Sequence, residues 1–493
     1  MSVKIPATGH GHRRLALWLL CAASLMIILD GTIVTVALPS IGRDLGFSAA
    51  NLSWVMNAYL IAFGSLLLLA GRLGDLIGRK RMFLSGLAAF TAASLLCGLS
   101  TGPAMLTAAR FAQGIGGAIV AAVSLGMIVT LFPEPPEQAK AIGAFSFVGA
   151  AGASIGLVLG GVLTQAVGWH WIFFVNVPIG ILVAPAAVRV LDADRGTGLR
   201  GGADWLGALL VTAGLMLGVY AIVGTARYGW GSAHTIATAA VAAALTIVFV
   251  TRQATVRTPL LPLRIFSVRN VTGANISQLL VIAAAFGFQV VITLYMQRVL
   301  GYGAAASGLG LLPTAAVIGT VSLGLSARIA ARFGQRAMLL AGLVLIAAAL
   351  ALLTQVPVHA SYLVYLLPPL LIFGIGGGLT LPALASLAMS GATPADAGLA
   401  SGLFNTTQQI GAALGVAVLS TLAAAQARSL HATGVGGTAA LAAGYHLAFA
   451  IGTGLAVAAI IVTAAVFWRR TGSAPCRPRV AAIRRNTPCH TPD

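Results

Sequence analysis

Apolar residues run through this chain in long unbroken stretches rather than in the stripes of a soluble helix or the alternation of a strand. Such stretches fall near 15–38, 52–71, 82–101, 104–131, 140–166 and 171–190, then 205–224 and 234–251, then 271–297, 305–326, 337–356, 361–388, 399–425 and 444–468. Each is close to the roughly 20 residues that a helix needs to cross a bilayer. The pattern predicts an all-α membrane protein with fourteen spans. Two longer polar connections, 191–204 and 252–270, set the seventh and eighth runs apart. The first run is too long for a cleavable signal segment and is not followed by a small-residue cleavage site.

A local duplication sharpens the layout. Gly71-Arg72-Leu73-Gly74-Asp75-Leu76-Ile77-Gly78-Arg79 follows the second run, and Ala327-Arg328-Ile329-Ala330-Ala331-Arg332-Phe333-Gly334-Gln335 follows the second of the last six. The register matches, but the second copy lacks the acid. The expected organisation is an N-terminal segment 1–14, a six-helix bundle 15–190, two inserted helices with their flanking loops 191–270, a second six-helix bundle 271–468 and a basic tail 469–493. Parallel halves of this kind place a substrate site near the membrane midplane, between them.

Composition agrees. The chain is 58% hydrophobic and 8% charged, with 60 glycines among 493 residues and a mean hydropathy of +0.96. A soluble surface needs about 25% charged residues, so lipid is the expected solvent. The net charge of +19 does not indicate a nucleic-acid partner, because the basic residues lie in short gaps between the runs instead of on one face. With the N-terminus inside, 24 of the 29 basic residues fall on the inner side. This bias sets the orientation and puts both termini in the cytoplasm. Cys21, Cys97, Cys476 and Cys489 have no metal-ligand or redox spacing, and no metal or cofactor is expected.

Of ten acidic residues, only Asp30 lies well inside a run, and Arg110 is the only basic residue so placed. Charge in hydrocarbon is costly, which makes an intramembrane acid a functional candidate. Asp30 precedes the outer end of its run by eight residues and Arg110 follows the outer start of its own by six. Both then sit roughly 9–12 Å below the outer surface, at 1.5 Å per residue. The two form either a fixed ion pair or a proton switch. In a switch, burial raises the acid's affinity for a proton and the guanidinium lowers it.

Other candidates are neutral or structural. Gly152, Gly156 and Gly160, with Gly161 beside the last, line one face of the fifth run, where a neighbouring helix can pack closely and rock. Gly71, Asp75, Gly78 and Arg79 belong to a tight charged turn that serves either as an orientation signal or as a latch. Asn57, Gln113, Gln278 and Gln408 are expected to line the cavity. His170 and His446 fall near span ends and are expected to be interfacial.

Several of these segments together resemble the major facilitator superfamily, in particular its fourteen-span drug:proton antiporters. Leu29 to Pro39 resembles the first-span motif, Gly71 to Lys80 the loop signature and Arg110-Phe111-Ala112-Gln113-Gly114 the fourth-span motif. The glycines from Gly143 to Gly161 resemble the antiporter signature of the fifth span, with Leu157 standing where that signature has proline. Trp169 to Pro178 is similar to the start of the sixth, with His170 in place of an arginine. The resemblance covers about residues 14–470. It implies a major facilitator fold and proton coupling through Asp30 and Arg110. The expected function is export of small amphipathic compounds, such as drugs, dyes or antibiotics, across the bacterial inner membrane. A dedicated exporter of one siderophore or secondary product is the alternative. Some relatives that move divalent cations carry an acid in a late span. None occurs between Val271 and Met389, which implies neutral or singly charged substrates, and Arg110 would also tolerate an anion.

The expected partners are a small-molecule substrate, protons and the lipid bilayer, with the protein acting as a monomer or with an efflux-complex adaptor. An enzyme would need several intramembrane His, Asp or Glu residues converging on chemistry. A channel would need a filter or a charge ring, and a nucleotide-driven pump a soluble phosphate-binding domain.

Overall fold

The computed structural model describes residues 10–467 apart from 48–51, 53, 193, 195, 197, 199–203, 257–258, 391–392 and 394–395; the side chains of 150, 153–154, 157–158, 226–227 and 304–305 are likewise not described. The N-terminal residues 1–9, the basic tail with Cys476 and Cys489, and the Leu157 side chain lie outside the described residues.

No strand occurs among the described residues. The first half comprises α1 (His10–Asp44), α2 (Trp54–Ile77), α3 (Arg79–Gly98), α4 (Pro103–Leu131) and α5 (Pro135–Ala166), then a short α6 (Trp171–Phe174) that continues as α7 (Asn176–Val190). The inserted pair is α8 (Trp205–Tyr228) and α9 (Ala233–Thr255), followed by a 3-10 turn at Leu263–Ser267. The second half comprises α10 (Arg269–Arg298), α11 (Ala304–Thr320), α12 (Ser326–Leu353), α13 (Leu367–Met389), α14 (Ala397–Ala432) and α15 (Gly437–Phe467). Wide π turns lead into α12 and α13, at Val321–Leu325 and Tyr362–Leu366.

Twelve helical segments of the described chain, not fourteen, are long and apolar enough to cross a membrane. Two of the expected runs fall inside one 48-residue segment, Ala306–Leu353, because the turn between them is itself wound almost entirely as helix. The segment breaks at one residue, Gly334, with φ 83°. Gly78 breaks α2 from α3 in the same way, with φ 114°. Only glycine adopts such angles freely, so the duplicated turns share one backbone device. The fifth run forms α5, which is not among the twelve.

Within the first half, α1 packs on α5 and α4 packs on α2 and α3; within the second, α10 packs on α14 and α15, and α12 on α13. The halves meet where α2 and α4 touch α14 and where α5 touches α11 and α13. These contacts cluster toward the end of the molecule that carries Gly71–Arg81, here the basic end. There, a Cβ on Gly402 would lie 2.6 Å from the Leu67 carbonyl, and one on Gly126 2.8 Å from that of Ala397. The inserted hairpin leans on α2 and α14 through α8. Much of α9 is bare and apolar, with Ile236, Val241, Ile247 and Val248 exposed, as expected of a helix that faces lipid.

The hairpin is tied at its basic end by a buried carboxylate. Asp204 caps α8 by accepting from the Gly207 N–H at 2.8 Å, and also accepts from Arg252 Nε at 2.8 Å and Gln253 Nε2 at 2.8 Å. Burial pushes its carboxyl up, but these donors outweigh burial and hold it below the usual carboxylate range.

Candidate functional site

Asp30 and Arg110 are both fully buried, and they meet. Arg110 Nη1 donates to Asp30 Oδ2 at 2.5 Å. Gln113, one helical turn beyond Arg110, donates from Nε2 to Asp30 Oδ1 at 2.7 Å and to Ser94 Oγ at 2.7 Å, while its Oε1 accepts from Arg110 Nη1 at 2.7 Å. Asn176 adds a third donor to Asp30, at 3.2 Å. Arg110 Nε is taken by the Val55 carbonyl at 3.0 Å. Its guanidinium lies over the Tyr59 ring at 4.4 Å, with Phe173 at 5.8 Å. Six helices, α1, α2, α3, α4, the short α6 and α7, therefore converge on one ion pair.

The arrangement suits an ionised acid. Asp30 accepts from three side chains, and Arg110 supplies the opposite charge. Two polar atoms of the cluster, Arg110 Nη2 and Asn176 Oδ1, have no hydrogen-bond partner among the described residues. Of these side chains, the sequence alone singled out Asp30, Arg110 and Gln113, and gave Gln113 a different place. It does not line a cavity: its amide is consumed in holding the pair. Ser94 was missed, because a serine in an apolar run carries no signal, and Asn176 lay within the Trp169 to Pro178 resemblance without being tied to the pair.

Gln278 also departs from expectation. It is buried and spends its amide on the Phe404 carbonyl at 3.0 Å, joining α10 to α14. Asn57 and Gln408 are half-buried. Asn405, one turn before Gln408, crosses between the halves by donating to the Ala121 carbonyl at 3.3 Å.

The glycines of α5 split. A Cβ on Gly152 would lie 2.9 Å from Leu25, and one on Gly160 2.7 Å from the Ile33 carbonyl, while one on Gly156 would collide with Thr32. These three seat α5 against α1 on both sides of Asp30. Gly161 points away, with Val36 at 3.9 Å as its nearest neighbour.

The charged turn makes a second cluster. Asp75 is buried and accepts from Arg79 Nη2 at 2.7 Å and Nε at 3.0 Å. It also accepts from the backbone N–H groups of Gly398 at 2.9 Å and Leu399 at 2.7 Å. Those amides open α14 in the other half, where the positive end of the helix dipole favours an anion. Gly71 lets α14 approach so closely that a Cβ would collide with the Gly398 carbonyl. A Cβ on Gly78 would meet the Asp194 carbonyl at 2.7 Å. Asp194 in turn accepts from the first N–H groups of α3, Arg79 at 2.7 Å and Lys80 at 3.1 Å. Asp194 and Gly398 went unnoticed in the sequence, because their roles rest on backbone amides and close approach.

At the end away from the basic turns, α2 and α4 of the first half and α8 of the inserted pair wall a cavity of about 840 Å³. Among the described residues no cluster of His, Cys, Asp or Glu has the makings of a metal site.

The sequence matches the description "Major Facilitator Superfamily" over residues 20–416. It is 41% identical over 409 residues to the cephamycin export protein CmcT of Amycolatopsis lactamdurans, covering 83% of this chain and 84% of that one. It is 36% identical over 473 residues to the puromycin resistance protein pur8 of Streptomyces alboniger, covering 93% and 94%. The crystal structure of the human organic anion transporter MFSD10 (TETRAN) shares the fold, with a TM-score of 0.66 at 15% identity, over 92% of this chain and 99% of that one.

Proposed function

Because the chain belongs to the Major Facilitator Superfamily, we propose that it is a proton-coupled antiporter that exports small amphipathic compounds from the bacterial cytoplasm. The relatives named for cephamycin export and puromycin resistance support the substrate class. The single observation that carries the coupling is the fully buried Asp30–Arg110 pair.

The physics of that pair is a switch. Arg110 stays charged at any physiological pH. A proton on Asp30 cancels the carboxylate's own charge and leaves the Arg110 guanidinium buried without compensation, which costs about 3–5 kcal/mol. The helices around it are thereby driven to rearrange. Release of the proton restores the pair. Asp30 and Arg110 are the coupling residues in this reading, with Gln113 and Asn176 positioning the acid. Asp75, Arg79, Gly71 and Gly78 form a latch that holds the cytoplasmic side shut while the far side is open, and Gly152, Gly156 and Gly160 give α5 a smooth face against α1. Asn57 and Gln408 are the polar groups offered to substrate.

The same reading gives fourteen crossings in two six-helix halves plus the inserted pair. The segment Ala306–Leu353 is about 72 Å long at 1.5 Å per residue, more than twice the hydrocarbon thickness, and it reverses at Gly334. Counting it as two and adding α5, 32 residues long, completes the set. The basic end is cytoplasmic by the positive-inside rule, with both termini there.

The test is substrate-dependent proton movement in sealed vesicles holding the purified protein. Addition of puromycin or ethidium to vesicles with an imposed pH gradient is expected to release protons down that gradient. Substrate movement with no proton signal refutes the coupling. A dedicated exporter of one product is the second reading, favoured by the relative named for cephamycin export alone. Competition among unrelated hydrophobic cations separates the two: mutual inhibition supports broad export.

A further inference from the structure

The inserted helices have no counterpart in the two six-helix halves, and one of them builds a wall of the cavity. We propose that α8 completes a binding site for planar aromatic compounds, with Tyr220 and Trp54 as its stacking surface. The proposal deepens the export reading and rests on it for the direction of transport, though not for binding.

The cavity of about 840 Å³ is lined by Trp54 of α2, Phe111 of α4, Phe47 of the loop between α1 and α2, and Met216, Leu217 and Tyr220 of α8. Among the described residues no charged side chain lines it. Four of its walls are aromatic rings, which favour stacked or edge-on contact with another ring over an aliphatic chain. Trp54 and Tyr220 are already stacked on each other across the α2–α8 seam, with centroids 6.1 Å apart and planes at 27°. Tyr220 is held from behind: its hydroxyl lies 3.2 Å from His234 Nε2 at the start of α9. That explains why the insertion is a pair, since α8 supplies the ring and α9 fixes its orientation.

The cavity also reaches the charge pair by chain connectivity. Trp54 precedes Val55, whose carbonyl accepts from Arg110, and Phe111 follows Arg110. Val219, beside Tyr220, lies 3.5 Å from a Cβ built on Gly64, next to Gln409 of α14. A ring seated here presses on the residues adjoining the pair.

The experiment is equilibrium binding to full-length protein in lipid nanodiscs without a pH gradient. The probes are ethidium, a planar aromatic cation, and dodecyltrimethylammonium, a cation with no ring. Ethidium is expected to bind, Tyr220→Leu to weaken it about 3- to 10-fold, the size of one lost aromatic contact, and Tyr220→Phe, which keeps the ring but loses the hydroxyl beside His234, to recover most but not all of that loss. Dodecyltrimethylammonium binding should differ by less than twofold between wild type and Tyr220→Leu. Ala108→Trp fills the cavity from α4, and is expected to weaken ethidium as well, so the test survives a Tyr220 variant that fails to fold. Ethidium binding unchanged in both the Tyr220→Leu and Ala108→Trp proteins overturns the proposal, as does wild type that binds no ethidium. Loss of the dye to rising phospholipid content, equally in all variants, assigns the cavity to acyl chains and also overturns it. Asp30→Asn protein that binds ethidium normally but does not transport it separates this site from the coupling scheme.

Discussion

The two halves share a backbone plan but not an electrostatic one. The first half buries two carboxylates, Asp30 and Asp75, each with a guanidinium and further donors. The second half has one acid, Asp396, at its surface near Arg264 and Arg72. Its interior bonds are neutral: Gln278 to the Phe404 carbonyl, Ser277 with Thr463 at 2.8 Å, and Tyr295 to the Pro357 carbonyl at 2.9 Å. Neutral bonds tie helices whatever the pH, whereas a buried acid makes packing depend on a proton. In the proposed mechanism, switching therefore falls to the first half and scaffolding to the second. The duplicated turn shows the same split at close range. Gly78 and Gly334 share the same left-handed break, but the first turn carries Asp75 and the second carries Ala331, which is exposed. The helix starts on the opposite half also differ. The start of α14 offers the free amides of Gly398 and Leu399 to Asp75. The start of α5, which packs on α12 from the other half, is Pro135-Pro136-Glu137. Two prolines lack the donor that an acid would need, and Glu137 would repel it.

The largest effect expected from this contrast follows loss of the titrating acid. Asp30→Asn keeps the shape and removes the proton site. Arg110 is then left without its counter-charge in every state, at about 3–5 kcal/mol, which corresponds to a loss of more than roughly 100-fold in gradient-driven transport. The measurement is dye efflux from energised vesicles at matched expression, beside dye binding at equilibrium. Efflux should collapse while binding stays within about threefold, because the chemistry of the pair does not contact the dye. Transport by the variant at wild-type rate would dissolve the division between the halves.

The latch comes next. Asp75→Asn removes an anion from a helix N-terminus and from Arg79, interactions worth up to about 2 kcal/mol where partly buried. Transport is expected to slow about tenfold, and a cysteine placed at Ala397 to become more reactive to thiol reagents from the cytoplasmic side. Ala331→Asp is the reciprocal change. It restores the acid of the second turn, while the helix start of the other half that packs on α12 opens with two prolines and an acid of its own, so it should neither speed transport nor protect that side. A gain in protection from Ala331→Asp would show that the turns are equivalent and that the missing acid is an accident of sequence.

Why some of this was legible before the fold was known has a physical answer. Long apolar runs report helices directly, because lipid permits little else, and a charge inside such a run is costly enough to stand out. Asp30 and Arg110 were therefore readable, and even their common depth followed from residue counts. The number of crossings was less so: the turn between the runs 305–326 and 337–356 is visible as a repeat of the first, but its winding as helix up to Gly334 is not. The partners of the charges were harder still. Gly398 acts through its amide, Asp194 through capping and Ser94 through one hydroxyl. Gln113 and Gln278 carry the same amide, yet one holds the ion pair and the other a helix seam. Only position distinguishes them, and position is a property of the packed bundle.

The smallest effect expected tests the neutral half. Gln278→Met exchanges the amide for an apolar side chain of similar length. The acceptor it leaves, the Phe404 carbonyl, lies inside α14, where the helix supplies its own N–H four residues on. No group is stranded, so the loss is one interhelical bond in a membrane, on average about 0.6 kcal/mol. Vesicle transport should change less than about threefold, the rate equivalent of that energy, and the pH dependence of efflux should overlay that of wild type. The pH profile is the sharper reading. A shift in it would mean that Gln278 is coupled to the protonation of Asp30 across the molecule, and the second half would then be part of the switch instead of its support.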